Sequence, residues 1–162
     1  MRSIPLFLAV VAGVLFSSGP VRAAELETAI FAGGCFWCVE SDFDQVEGVK
    51  ATVSGYIGGT RENPTYQDHV ESGFKEAVEI KFDPAAVSYA ELLKIFFRSV
   101  DPTDGSGQFC DRGASYSTAI YAVDEAQAAE AEAAKKTAAS ELNRRIATEI
   151  IPAPTFWPAE GY

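Results

Sequence analysis

The residues with the clearest chemical potential are two cysteines near the start of a predicted helix. A pair of glycines precedes the run Cys35-Phe36-Trp37-Cys38, and apolar side chains then recur at three- and four-residue intervals up to Gly48, which is the period of a helix face. Cys35 therefore stands at the first turn, where unpaired backbone N–H groups and the positive end of the helix dipole favour a thiolate. Since the thiolate is the nucleophilic form of cysteine, Cys35 is the predicted nucleophile.

The chain that must position this thiol has the size and composition of one domain. It has 162 residues, of which 48% are hydrophobic and 22% charged, enough for one compact core. A formal net charge of −10 repels phosphate backbones and anionic headgroups, so we expect no nucleic-acid partner. Three cysteines are too few for a disulfide-built scaffold, and their odd number leaves at least one thiol free or transiently paired. We expect no metal and no cofactor.

Residues 1–23 have the pattern of a secretory signal peptide. A basic start at Arg2 is followed by a short apolar core and by small residues that end at Ala23, as at a cleavage site. The apolar run is shorter than the roughly 20 residues that span a bilayer, and an uncleaved anchor is the alternative. We therefore expect one domain at residues 24–162, exported across the inner membrane to a periplasm and without stable membrane association after cleavage.

Periodicity along residues 24–162 predicts alternating strands and helices. Ser88 and Glu91 have the spacing of a capping box at the start of one helix. The predicted elements are strands at 26–31, 49–56, 77–82, 115–123 and 147–151, and helices at 35–47, 89–98 and 124–145. Residues 57–73 are long enough for a functional loop. This order favours an α+β fold, a two-layer sandwich in a ferredoxin-like arrangement with helices packed against a mixed, mainly antiparallel sheet.

A set of short motifs in a fixed order carries a resemblance to a known family. The motifs are Gly33-Gly34-Cys35-Phe36-Trp37, Ser54-Gly55-Tyr56, Asn63-Pro64-Thr65-Tyr66, Glu76-Ala77-Val78, Asp101-Pro102-Thr103 and Asp111-Arg112-Gly113-Ala114-Ser115-Tyr116. Each motif alone is weak, but their joint order and spacing are specific. From residue 29 to residue 162, the chain closely resembles peptide methionine sulfoxide reductase of the A type.

This resemblance implies a thiol-based reduction of methionine sulfoxide. Cys35 would attack the sulfoxide sulfur and become a sulfenic acid, while the thioether is released. Glu76 would protonate the departing oxygen, with a pKa raised by an apolar pocket. Tyr56 and Tyr116 would donate hydrogen bonds to that oxygen, and Asp111 would organise the site.

The same resemblance implies the substrate and its pocket. Phe36 and Trp37 would form an apolar pocket for the sulfoxide methyl group, because sulfur and methyl groups contact aromatic rings favourably. The expected substrate is the S epimer of methionine sulfoxide, either free or in oxidised proteins. We expect a monomer that a thioredoxin-like reductant recycles.

Recycling needs a second thiol, for which the sequence offers two candidates. Such a thiol condenses with the sulfenic acid to a disulfide, which an external dithiol then opens. Cys38 lies three residues after Cys35, and Cys110 adjoins Asp111. Cys110 is preferred, because a bridge to Cys38 would draw Cys35 out of the helix start.

The chain departs from the family pattern in two places. The loop before Glu76 is shorter and has Ser72-Gly73-Phe74-Lys75 where the family has a Gly-His pair. His69, the single histidine of the chain, lies upstream, and we expect it to be a solvated loop residue. Relatives also continue beyond the position of Tyr162 with a tail that can carry the recycling cysteine, so either this chain is shortened or it uses an internal thiol.

Two interpretations from other classes remain open at the level of sequence. A thioredoxin-like disulfide oxidoreductase would also use a Cys-x-x-Cys pair such as Cys35 and Cys38. A non-catalytic exported domain with one structural disulfide is the second alternative, and it predicts that substitution of Cys35 leaves every activity unchanged.

Overall fold

The structure is a computed structural model that describes residues 25–161, so the signal peptide predicted at 1–23 lies outside the described residues. The strands are β1 (Glu27–Ala32), β2 (Val49–Ile57), β3 (Lys75–Phe82), β4 (Gly107–Gln108), β5 (Asp111–Arg112), β6 (Ala119–Ala122), β7 (Glu149–Pro152) and β8 (Phe156–Pro158). The helices are α1 (Phe36–Asp44), α2 (Tyr89–Ser99) and α3 (Glu125–Leu142), with a 3-10 turn at Ala114–Tyr116. Among the helices of residues 25–161, none combines the length and the apolar character needed to cross a bilayer.

The main sheet has six strands in the order β7-β6-β1-β3-β2-β8. Neighbouring strands are antiparallel except for β6 and β7, which are parallel. The inner order β6-β1-β3-β2, with α1 between β1 and β2 and with α2 between β3 and β6, is the ferredoxin-like arrangement. The α+β prediction, with a mainly antiparallel mixed sheet, is confirmed.

Alternation along β1 separates two apolar layers. Phe31 packs in the larger cluster under the helices, where its ring lies 5.4 Å from that of Phe43 in α1 and 4.9 Å from that of Phe96 in α2. Ile30 and Ala32 face the opposite side of the sheet, in a smaller cluster. Because successive strand residues point to opposite faces, β1 packs against both apolar layers. This packing fixes the position of the end of β1, which leads to Cys35.

All three predicted helices are present, with differences at their ends. The capping box of α2 is present, since Ser88 Oγ accepts the Glu91 N–H at 3.2 Å and Glu91 Oε2 accepts the Ser88 N–H at 3.0 Å. Asp124 caps α3 by accepting the Gln127 N–H at 2.8 Å. Two helices are shorter than predicted. Helix α1, predicted at 35–47, ends at Asp44, and α3, predicted at 124–145, ends at Leu142, before Asn143 in the left-handed conformation.

Two predictions about strands need correction. The strand predicted at 115–123 is confined to Ala119–Ala122, because the chain first forms the 3-10 turn Ala114–Tyr116, preceded by Gly113 at φ 115°. Strand β8, Phe156–Pro158, is absent from the predictions. It pairs with the last residues of β2, with Trp157 opposite Tyr56. The predicted strand at 147–151 is present as β7, Glu149–Pro152.

Candidate active site

The sheet topology brings the predicted site residues to one end of the sheet. Strands β1 and β3 are antiparallel, so the end of β1, which leads to Cys35, lies beside the start of β3, which contains Glu76. Tyr56, near the end of β2, is directly opposite Glu76 in the β2–β3 register. Residues that lie 20 to 41 positions apart in sequence therefore form one site by strand pairing alone.

Cys35 occupies the N-cap position of α1. Its carbonyl accepts the N–H groups of Cys38 at 3.1 Å and of Val39 at 3.3 Å, so the residue is half inside the helix and its side chain is partly exposed. Gly34 before it has φ +93°, and a Cβ there would lie 2.7 Å from Gln108 Cβ. Only glycine fits this turn without strain, and the turn places the thiol at the positive end of the helix.

Glu76 is a buried carboxyl group at the same helix end. Its side chain is only 3% exposed, and its Oε2 accepts the Phe36 N–H at 3.0 Å. Burial raises the pKa of Glu76 above its ordinary value, and the charge of Asp111 adds to this. The Phe36 hydrogen bond, the charge of His69 and Tyr116 act in the opposite direction. A carboxylic acid with a raised pKa keeps its proton closer to neutral pH, as a general acid requires.

Tyr116 and Asp111 reach the site from the 3-10 turn and the β4–β5 hairpin. Tyr116 donates a side-chain hydrogen bond to Glu76, and its own pKa is raised to about 12, first by burial and then by the nearby charge of Glu76. The turn is fixed because Ser115 Oγ donates to the Phe74 carbonyl at 2.7 Å. A phenol with this pKa is a neutral hydrogen-bond donor throughout the physiological range.

Tyr56 contributes a ring at the site, and its hydroxyl already has a partner. The side chain is fully buried, its ring centroid lies 5.8 Å from that of Phe36, and its hydroxyl donates to Glu160 Oε2 at 3.0 Å. The hydrogen bond from Tyr56 to the sulfoxide oxygen stays a prediction, because its O–H must first turn away from Glu160. The sequence analysis does not single out Glu160, which contacts the site through this hydrogen bond.

The ring of Phe36 lies in the interior, and the ring of Trp37 lies at the surface. Phe36 is buried, whereas Trp37 is 59% exposed, and their ring centroids lie 6.1 Å apart. Adjacent residues at a helix start point in different directions, so one ring supports the site and the other forms an open aromatic surface. The pair is therefore arranged for contact with an apolar group from solvent.

The three cysteine thiols line one cleft beside Cys35. A cleft of about 250 Å³ is lined by all three cysteines and by Asp111, and the cysteines are free, with Cys38 and Cys110 exposed. Burial, followed by the charge of Cys35, raises the pKa of the Cys38 thiol above its ordinary value. The structure therefore places a thiol that tends to keep its proton beside the predicted nucleophile.

The prediction of a solvated His69 is wrong. Its side chain is 2% exposed, because residues 65–73 fold into turns that place the ring against Tyr56, with 5.0 Å between centroids. His69 Nε2 lies 3.4 Å from Glu76 Oε1. A single histidine in a polar loop has no periodicity, so only its uniqueness in the sequence could have singled it out.

The site as a whole has the chemistry of a thiol-dependent oxidoreductase. A nucleophilic cysteine at a helix start has a buried proton donor on one side and a second thiol in contact on the other. Within residues 25–161, no group of three or more His, Cys, Asp or Glu side chains is placed to hold a metal ion. The three cysteines are free thiols in this structure.

Comparison with known proteins specifies the family. The family model described as "Peptide methionine sulfoxide reductase" matches residues 27–162. A relative from Rhizobium meliloti, peptide methionine sulfoxide reductase MsrA 2, is 60% identical over 143 residues, which are 88% of this chain and 72% of the relative. A relative of the same name from Caulobacter vibrioides is 47% identical and spans 100% of this chain and 84% of its own length. The chain belongs to the peptide methionine sulfoxide reductase family, in its A-type branch.

Solved structures agree with the fold. Methionine sulfoxide reductase A of Corynebacterium diphtheriae has a TM-score of 0.79 at 34% identity, over 83% of this chain and 70% of that chain. Mxr1 from Saccharomyces cerevisiae in reduced form has a TM-score of 0.80 at 26% identity, over 85% and 81%. Mxr1 in complex with Trx2 has a TM-score of 0.64 at 23% identity, over 89% and 88%, and this last likeness concerns the fold alone.

Proposed function

We propose that Cys35 and Glu76 together carry the reduction of methionine S-sulfoxide to methionine, with Cys38 as the resolving thiol. Reduction of methionine sulfoxide is the activity that family membership assigns to this chain. The observation that supports the division of roles is the helix start itself. Cys35 caps it, and its first N–H, that of Phe36, binds Glu76 at 3.0 Å.

In the first step, the Cys35 thiolate attacks the sulfoxide sulfur. The oxygen is transferred to the cysteine sulfur and takes a proton from Glu76, so that a cysteine sulfenic acid and the thioether result. The methionine sulfur is reduced by two electrons, and Cys35 is oxidised by two. Tyr116, a neutral donor beside Glu76, stabilises the negative charge that gathers on the oxygen, and Asp111 helps to keep Glu76 protonated.

The substrate methyl group lies against the exposed ring of Trp37, which the buried ring of Phe36 supports from behind. The exposed indole ring and the buried phenyl ring flank the residue that attacks. Contacts of sulfur or methyl with aromatic rings contribute about 0.3 to 1.5 kcal/mol each. Because Trp37 is open to solvent, the surface accepts methionine sulfoxide free in solution or in an oxidised protein.

In the second step, Cys38 condenses with the sulfenic acid, and water is released. The Cys38 thiol lines the same cleft as Cys35 and is close enough for the charge of Cys35 to raise its pKa, and two residues one helical turn apart have a spacing compatible with a disulfide. Since Cys35 is the cap and not an interior residue of α1, a bridge to Cys38 does not require the helix to unwind. This contact supports Cys38 over Cys110, which sequence reasoning preferred.

A thioredoxin-like dithiol then opens the disulfide and is itself oxidised to a disulfide. Support comes from the exposure of Cys38 and Cys110, which leaves the bridge open to another protein. A yeast relative, Mxr1, has been crystallised in complex with Trx2. The basic start and short apolar core of residues 1–23 support export to the periplasm, where the donor would have to be a resident dithiol protein.

Separated sulfoxide epimers test this proposal. The protein is incubated with dithiothreitol and with either the S or the R epimer of a methionine sulfoxide peptide, and the methionine produced is measured. We expect consumption of the S epimer alone and none by Cys35→Ser. Consumption of both epimers, of the R epimer alone, or of the S epimer by Cys35→Ser would contradict the proposal.

A further inference from the structure

His69 is a buried titratable group that the proposed chemistry leaves without a task. It lies in the turn segment before β3, and its backbone is held by the His69 N–H bond to the Thr65 carbonyl at 2.9 Å and by the Phe74 N–H bond to the His69 carbonyl at 2.9 Å. The ring stacks on Tyr56 at an interplanar angle of 26° and packs against Tyr66, with 5.5 Å between centroids. The imidazole is thus fixed in position and in orientation.

Its hydrogen bonds determine the tautomer. His69 Nδ1 lies 2.8 Å from the Tyr66 carbonyl oxygen, and a carbonyl oxygen only accepts hydrogen bonds, so Nδ1 carries the hydrogen. In the neutral imidazole the other nitrogen, Nε2, then has only a lone pair. Within residues 25–161 this buried Nε2 has no hydrogen-bond partner, but it lies 3.4 Å from Glu76 Oε1.

The two facing atoms require a proton between them. Glu76 Oε2 accepts the Phe36 N–H, so the main chain is bound to one oxygen and His69 faces the other. An ionised carboxylate oxygen and an imidazole lone pair would repel each other in a site from which water is excluded. One proton on the pair removes this repulsion, whether it is bound to Oε1 or to Nε2.

We propose that His69 is a positioning residue for the proton transfer, and that His69 and Glu76 hold one shared proton, which Glu76 delivers to the sulfoxide oxygen. The inference rests on the proposed role of Glu76 as the acid. The proton balance closes over one cycle: the proton that Cys35 loses on ionisation replaces the proton that Glu76 gives to the oxygen. His69 stabilises the carboxyl group in the protonated form by accepting its O–H, and it keeps Oε1 directed into the site.

Other charged or titratable groups around the pair are distributed over five segments. They are Asp68, paired with Arg61 at 2.8 Å in the same turn, Asp111 on the hairpin, Tyr116 in the 3-10 turn, Cys35 at the helix start and Glu160 near the end of the chain. The carboxylates among them favour retention of a proton by the pair. A pair that shares a proton loses it at a higher pH than Glu76 would alone.

The pH dependence of a single turnover tests the inference. The rate falls at alkaline pH as Glu76 loses its proton, which gives the alkaline limb of the profile. In His69→Phe, which keeps an aromatic ring against Tyr56, we expect the alkaline limb to move to lower pH by about one unit or more. His69→Gln, whose amide donates to the carboxylate, should move it at least as far. Val70→Ala, an exposed neighbour in the same turn, should leave the profile unchanged.

The outcomes separate the inference from the function on which it rests. If Glu76→Gln keeps the wild-type alkaline limb, Glu76 is not the acid, and both proposals fail. If Glu76→Gln removes the limb but His69→Phe and His69→Gln lower the rate equally at every pH, only the inference fails, because a purely structural role has that result. Circular dichroism and thermal unfolding establish that each variant is folded.

A measurement on the wild-type protein avoids the question of folding. His69 is the only histidine, so its imidazole ¹⁵N signals need no assignment among several residues. We expect a hydrogen on Nδ1 and an Nε2 signal that responds to pH together with Glu76, and we expect Glu76→Gln to abolish that coupled response. A hydrogen fixed on Nε2, or an Nε2 signal unaffected by Glu76→Gln, would overturn the shared proton.

Discussion

The two sides of Cys35 differ in their access to water, and the difference matches two kinds of chemistry. On the acid side, Glu76 and His69 are both buried and are held by main-chain hydrogen bonds. On the thiol side, Cys38 and Cys110 are exposed. A strong hold on a proton needs exclusion of water, whereas thiol–disulfide exchange needs room for a sulfur atom of another molecule. One helix start meets both requirements because the buried groups come from β3 and the turns before it, whereas the exposed thiols come from α1 and the β4–β5 hairpin.

The largest expected effect is on the acid side. Glu76→Gln keeps the size of the side chain but has no acidic proton, so the first turnover should slow by about 10²- to 10⁴-fold near neutral pH. Because burial raises the pKa of Glu76, the wild-type rate should fall as pH rises through that pKa, and the variant should lack this fall. Rapid-quench measurement of methionine formation checks both expectations; a variant as fast as wild type would remove Glu76 from its role.

On the thiol side, the first turnover and the later turnovers should separate. Cys38→Ser should release one methionine per protein and then stop with a thioredoxin-like donor, because the sulfenic acid has no thiol in contact. Cys110→Ser is the matched control and should still form the Cys35–Cys38 disulfide. Peptide mass analysis after one turnover locates the bridge, and a Cys35–Cys110 disulfide in the wild-type protein would reverse the assignment.

The aromatic surface between the two sides should show a smaller effect. Trp37→Ala removes the exposed ring, and the loss of one sulfur–aromatic contact of about 0.3 to 1.5 kcal/mol raises KM by up to about tenfold with kcat little changed. Leu142→Ala removes an exposed apolar side chain of α3 and should leave KM as it is. A fall in kcat without a change in KM would show that Trp37 acts on the reacting atoms instead.

The smallest expected effect lies far from the site. Ser88→Ala breaks the capping box of α2 and should lower the free energy of unfolding by about 1 kcal/mol, with no change in the rate of methionine formation. Urea unfolding measures the first and the activity assay the second. Ser140→Ala in α3 is the control for stability, and a large loss of activity in Ser88→Ala would mean that the site depends on α2 more closely than its geometry indicates.

Local signals made much of the fold predictable. The capping box at Ser88 and the apolar period from Cys35 onward are short-range features, and helices α2 and α1 follow them. Strand β8 has three residues and ends at Pro158, so it is too short for alternation to be visible. Its pairing with β2 depends on tertiary contacts that no local pattern encodes.

The sequence predicted which residues form the candidate site better than it predicted how deeply they are buried. Family motifs pointed to Cys35 and Glu76, which the structure brings to one helix end, but the burial of His69 depends on how the segment before β3 folds. That fold requires Gly59 to lie under the Phe74 ring, where a Cβ would approach to 2.1 Å. A contact between two loop residues that follow one strand and precede the next leaves no periodic trace in the sequence.

The hydrogen bond from the Phe36 amide to Glu76 has an evolutionary consequence. Every amino acid except proline supplies the same main-chain N–H, so mutational drift at position 36 can change the aromatic ring without removing the donor. The other carboxyl oxygen of Glu76 faces the His69 side chain, which every amino-acid substitution at position 69 replaces. Sequence changes that make Glu76 a weaker or a stronger acid are therefore expected at position 69 more than at position 36.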